Sequence, residues 1–231
     1  MTSLAARMYG VIRRPRATFA AILLTPSWLP VLVATTAITF LCGIAFLRTD
    51  VGRQALVDQW ERTATAFGQS VDDAAYARME ETAASGSAEM LYAGATALGY
   101  GPALVFAASG LLFLSLKPRR PFVDVLTVAS YSAVILALRQ VIATPVDYVR
   151  ESIASPTTLM QFFTMLDEAS PAARFLGVID LFVVWWIVVL AVGASVLYRR
   201  STRSLALALT GAYVALALLA ALAMAVSGGT A

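Results

Sequence analysis

The chain has no histidine, one cysteine and one lysine in 231 residues. Without histidine, the commonest general base and the commonest metal ligand are both missing. The single thiol, Cys42, cannot close an intrachain disulfide, and within an apolar run it reads as a small buried hydrophobe. The residues ahead of it, Thr39-Phe40-Leu41, are too bulky for a lipoprotein cleavage site. Charge is scarce as well: 13% of residues against 59% hydrophobic, with a mean hydropathy of +0.76. A soluble domain would need about twice that share of charge to cover its surface, so composition points to an integral membrane protein. The net charge of +3 is spread by segment and not gathered into a patch, so nucleic acid is not an expected partner. Lys117 stands alone beside 16 arginines, and alanine is abundant; this is the codon signature of a GC-rich bacterial genome, placing the protein in a bacterial plasma membrane.

What the chain does have is long apolar segments. Phe175 to Tyr198 spans 24 residues with one charge, Asp180. As a helix it is about 36 Å long, against roughly 30 Å of hydrocarbon. Trp185 and Trp186 supply a lipid or packing face, and Tyr198-Arg199-Arg200-Ser201-Thr202-Arg203 is a basic stop. Similar runs predict spans at about 29–47, 91–116, 122–143, 175–198 and 204–226. The expected fold is therefore all-α: a polytopic five-helix membrane bundle with two extracytoplasmic connections. Residues 1–28 form a cytoplasmic basic amphipathic arm, 29–226 a single membrane domain, and 227–231 a disordered tail.

In the arm, Leu4, Met8, Val11 and Ile12 recur at helical spacing among Arg7, Arg13, Arg14 and Arg16, a pattern suited to a headgroup layer or a partner, or to a topology-fixing tail. Pro15 restarts the chain, and Phe19, Ile22 and Leu23 continue an apolar face. It does not read as a secretory signal, because no short apolar core with a small-residue cleavage site follows. Pro26, Trp28 and Pro30 fit a helix start at the membrane interface. Residues 48–90 carry eight acids and four arginines, and Leu56 and Trp60, with Thr63, mark an amphipathic helix broken at Ala83-Ala84-Ser85-Gly86-Ser87. Gly99-Tyr100-Gly101-Pro102 predicts a kink within the second span. Gly99, Ala103 and Ala107, and again Ala217, Ala221 and Ala225, form small-residue ridges for close helix approach. Pro145, Pro156 and Pro171 cut the connection 144–174 into short pieces.

Loop charge orients the spans. Ten basic residues and no acid fall in the arm, in Lys117–Arg120 and in Arg199–Arg203, whereas the other two connections hold six arginines and twelve acids. The positive-inside rule then puts the N-terminus in the cytoplasm and the C-terminus outside.

Three ionisable residues remain within spans, where each needs a partner or a shallow position. Asp124 lies beside Lys117, Arg119 and Arg120 and can pair or snorkel there. Arg139 and Asp180 fall at similar depth near the outer surface, with Tyr131 and Gln140 as candidate neighbours. They can form a structural ion pair, line a polar cavity for a lipid headgroup, ion or proton, or snorkel separately. Asp124 and Asp180 are roughly 20 Å apart along the membrane normal at 1.5 Å per residue, so they cannot act as a catalytic dyad. No catalytic residue, metal site or cofactor is expected.

Several short motifs carry a resemblance. They are Arg13-Arg14-Pro15-Arg16-Ala17-Thr18-Phe19 followed by Pro26, Ala129-Ser130-Tyr131-Ser132 in the third span, and Asp180-Leu181-Phe182 with Trp185 and Gly193. Together with the order of five spans they resemble the Yip domain family, the Ypt/Rab-interacting membrane proteins, in its bacterial branch. The resemblance covers nearly the whole chain. It implies a five-helix membrane protein without known catalytic residues, in a scaffold or membrane-organising role. The family's glycine-tyrosine motif is altered here: Ser130 precedes Tyr131, and Ile135 stands where a proline would follow. The GTPase-linked trafficking role of eukaryotic members is therefore not carried over. The expected function is a scaffold or accessory subunit, not an enzyme. Its partners are the bilayer and other membrane proteins, a transport complex among them, and a homo-oligomer stays open. The alternative is lipid or small-solute translocation through a polar cavity at the Arg139–Asp180 layer.

Overall fold

The computed structural model describes residues 3–66, 68–117, 120–153, 155–163 and 171–227. The fold is all-helical, with no strand among the described residues. Five helical stretches are long and apolar enough to cross a membrane.

Two short helices come first, α1 (Leu4–Arg13) and α2 (Pro15–Ile22). The Ser3 hydroxyl caps α1 by accepting the Ala6 N–H at 3.2 Å. Pro15 ends α1 by pushing Arg14 to φ −142°, and then serves as the first residue of α2. Helix α3 (Leu29–Leu47) is the first span, with Pro30 in its first turn, where a missing N–H costs nothing. The Thr35 and Thr39 hydroxyls donate to the Val31 and Thr35 carbonyls, which satisfies them inside an apolar helix.

Helix α4 (Asp50–Ala66) starts on Thr49, whose hydroxyl accepts the Gly52 N–H at 3.0 Å. The turn is so tight that a Cβ on Gly52 would overlap the Phe46 carbonyl. Helix α5 (Asp73–Ala84) is capped by Asp72, which accepts from the Ala75 N–H at 2.7 Å. The second span combines α6 (Gly86–Leu98), a π-turn over Gly99–Ala103 and α7 (Leu104–Ser115). Pro102 lies inside the π-turn, so the predicted kink takes the form of a widened turn that accommodates its missing N–H.

The third span joins α8 (Phe122–Ser132) and α9 (Val134–Val149), and it runs past Pro145 beyond the expected end near 143. A 3₁₀ turn, Leu159–Phe162, and α10 (Pro171–Val178) precede α11 (Leu181–Tyr198), and α12 (Thr202–Ser227) closes the described chain. The fourth span is therefore not one helix from 175 to 198. It breaks at Ile179–Asp180, because Asp180 pairs in an isolated antiparallel bridge with Thr158.

The chain divides into two compact units. The first comprises residues 1–39, 97–139 and 182–213, and the second 40–96, 140–181 and 214–231. In the first unit, Val11, Phe19 and Ile22 of the arm belong to the same buried apolar cluster as Val105, Val128, Tyr131 and Ala194. Gly193 makes room for Phe19: a Cβ there would stand 3.1 Å from the ring and 2.5 Å from Val128 Cγ1. In the second unit, Ile44, Leu47, Leu56 and Ala93 form a smaller cluster, against which Trp60 and Tyr76 pack.

Candidate functional site

Asp180 is a buried carboxylate held by side-chain hydroxyls from a distant segment. It is 6% exposed. Its Oδ2 accepts the Thr157 hydroxyl at 2.6 Å and the Ser155 hydroxyl at 3.0 Å. Around it the backbone closes a small ladder: the Leu159 N–H donates to the Ile179 carbonyl at 2.8 Å and the Leu181 N–H to the Thr157 carbonyl at 3.0 Å. All of these residues lie in the second unit. The carboxylate thus fastens the segment around Thr157 to the break ahead of α11, and a helix is sacrificed locally to do so. Hydrogen bonds to a charged acceptor are stronger than neutral ones, which is how a buried carboxylate is tolerated.

Arg139, at 8% exposed, belongs to the first unit. Its guanidinium lies over the Tyr100 ring, 5.3 Å from the centroid. Tyr100 is the second residue of the π-turn, so the kink in the second span presents an aromatic face to an intramembrane cation. Tyr131 is buried in α8 of the same unit. Gln140, in the second unit, directs its amide toward the Thr144 hydroxyl at 3.4 Å.

The two ridges differ. Gly99, Ala103 and Ala107 are all exposed. Ala217 is buried in its own chain, and the side chains of Ala221 and Ala225 lie outside the described residues. The tryptophan pair also divides: Trp186 is buried, whereas Trp185 is 36% exposed and leans on Phe182 at 5.7 Å. The Trp186 indole N–H and the buried Ser130 hydroxyl have no hydrogen-bond partner among the described residues. Asp124 occupies the first turn of α8, where a carboxylate complements the helix dipole. Asp167 and Glu168 lie outside the described residues.

The Yip1 domain matches residues 9–224. The chain belongs to the Yip1 domain family. This is not a known enzyme family. No curated protein and no solved structure matches the chain. Two of the motif elements that carried the resemblance, Phe19 and Gly193, meet in the structure as a packing contact.

Sequence reasoning did not single out Glu89, Ser155 or Thr157. Glu89 is buried in α6 at 6% exposed, with Arg53 Nη1 of α4 at 3.6 Å; Arg53 also pairs with Asp50. Its only signal was its place at the edge of an apolar run. Ser155 and Thr157 are ordinary loop residues until their distant partner is known.

Proposed function

We propose that this Yip1-domain protein is a non-enzymatic scaffold or accessory subunit of a bacterial plasma membrane, holding other membrane proteins, such as parts of a transport complex, by helix packing. In this reading the N-terminus is cytoplasmic and the C-terminus extracytoplasmic, as the positive-inside rule favours. The observation that carries the proposal is the exposed ridge of Gly99, Ala103 and Ala107, with open space where a Gly99 Cβ would stand. In a bilayer, small residues at one-turn spacing let helix backbones approach closely. A photoreactive residue in place of Leu111, exposed on the next turn, is expected to capture a reproducible partner in native membranes. Replacing Gly99, Ala103 and Ala107 together by Leu is expected to remove that product. Capture of nothing reproducible, or a product indifferent to the triple change, contradicts the scaffold. Capture of a second copy of the chain would identify the partner as itself.

The burial of Arg139 and of Asp180, each within a span-forming region, favours a second reading, translocation of a lipid or small solute past buried charged groups. Flux in proteoliposomes that falls in Arg139→Met and Asp180→Asn, with folding intact, would favour translocation over the scaffold.

A further inference from the structure

We propose that the cleft between α1 and α2 binds the phosphate-bearing headgroup of an anionic phospholipid. This goes beyond the scaffold reading and does not depend on it. The cleft has a volume of about 550 Å³ and is lined by Arg7, Arg13, Arg14 and Tyr9 around a floor that includes Gly10 and Ala17. That volume lies within the range of small-ligand sites, roughly 300–1,000 Å³.

The packing of the two helices defines the cleft. Val11, Phe19 and Ile22 anchor their inner sides in the apolar cluster, leaving the basic sides outward. Gly10 lets the helices close together, since a Cβ there would lie 2.7 Å from Thr18 Oγ1. On the rim, Arg13 donates to the Tyr9 hydroxyl at 3.0 Å. Guanidinium forks match phosphate oxygens in pairs. Neither helix carries a carboxylate of its own, because the first acid in the chain is Asp50.

A membrane source of phosphate is favoured by where the cleft stands. It immediately precedes the first span, and between them Trp28 packs edge-on to Phe106 at 6.0 Å, as residues of an interfacial aromatic belt do. The expected cytoplasmic leaflet is the one rich in anionic lipid.

The test uses the full chain in detergent micelles, titrated with phosphatidylglycerol or phosphatidylcholine, with bound lipid counted by native mass spectrometry. One phosphatidylglycerol is expected to bind in preference to phosphatidylcholine. Substituting Arg7→Gln, Arg13→Gln and Arg14→Gln together is expected to weaken it by about a factor of 100, at roughly fivefold per arginine near an anionic headgroup. Ala17→Trp, which fills the cleft and keeps every charge, is expected to lose the same lipid, and it decides the matter if the triple variant fails to fold. Substituting Arg199→Gln, Arg200→Gln and Arg203→Gln removes equal charge elsewhere and is expected to leave binding within about twofold. Equal binding of the two lipids overturns the proposal, as does full retention in Ala17→Trp or an equal loss in the distant triple variant. Displacement of phosphatidylglycerol by equimolar inorganic phosphate would make this a free-phosphate site and overturn the lipid assignment.

Discussion

The two units of this protein are built from similar helices but handle charge in opposite ways. The first holds eleven basic residues and one acid, Asp124; the second holds six arginines and thirteen acids, giving formal charges of +10 and −7. Buried hydroxyls in the first unit mostly turn back onto their own helix, as Ser109 does to Val105 and Ser132 to Val128. In the second, buried polar groups connect separate segments: Glu89 meets Arg53, and Asp180 takes hydroxyls from Ser155 and Thr157. One unit is a packed apolar cluster with a basic surface, and the other is stitched by polar contacts over a smaller apolar cluster.

Even the helix ends follow this division. Arg199 ends α11 in a left-handed conformation, φ 53°, with the Arg200 N–H bonded to the Ser195 carbonyl. Glu151 ends α9 in the same way, φ 52°, with the Ser152 N–H bonded to the Asp147 carbonyl. Glycine is the favoured residue at such a cap. A basic residue occupies it in the first unit and an acid in the second.

Six substitutions sharpen the comparison. The largest effect is expected at Gly52→Ala, because the new methyl meets a backbone carbonyl that cannot move without opening the α3–α4 turn; a loss of about 3 kcal/mol or more is expected. Unfolding in mixed micelles reads it. Next comes Phe19→Ala in the first unit, at about 3 kcal/mol, by the same measurement; a much smaller loss would mean that the arm does not belong to the apolar cluster. Thr157→Val removes a charge-assisted bond to a buried carboxylate and is expected to cost about 2 kcal/mol, while Ser132→Ala, whose hydroxyl bonds only its own helix, should cost under about 0.5 kcal/mol. Equal losses for those two would erase the contrast between the units. Smallest of all, Arg199→Gly and Glu151→Gly are each expected to gain about 1 kcal/mol or less by relieving the left-handed backbone, seen as a small rise in melting temperature.

Much of this architecture was legible in the sequence because apolar length is a one-dimensional signal. The first span falls at 29–47 in both readings, and Gly99-Tyr100-Gly101-Pro102 marked a kink that the structure resolves as a π-turn. Phe175 to Tyr198 is different. Hydropathy runs smoothly through Val178-Ile179 and Leu181, so nothing local announces a break. The break depends on Thr157 and Thr158, more than twenty residues upstream. Asp180 stood out as a residue requiring a reason, with Arg139 as its expected partner; the hydroxyls it accepts are long-range and polar, and a single chain carries no periodic trace of them. Pro145 misled in the other direction: it was read as cutting the connection after the third span, and α9 continues through it to Val149.

The central claim is the proposed topology, with the basic segments 117–120 and 199–203 cytoplasmic and the connection 48–90 extracytoplasmic. Cysteine accessibility tests it most directly. In a Cys42→Ser background, single cysteines replace Ser70 and Ser201, both exposed, and intact cells are treated with a membrane-impermeant maleimide. The expected result is labelling at position 70 in intact cells and at position 201 only after permeabilisation. Labelling of position 201 in intact cells, with position 70 protected, would contradict it.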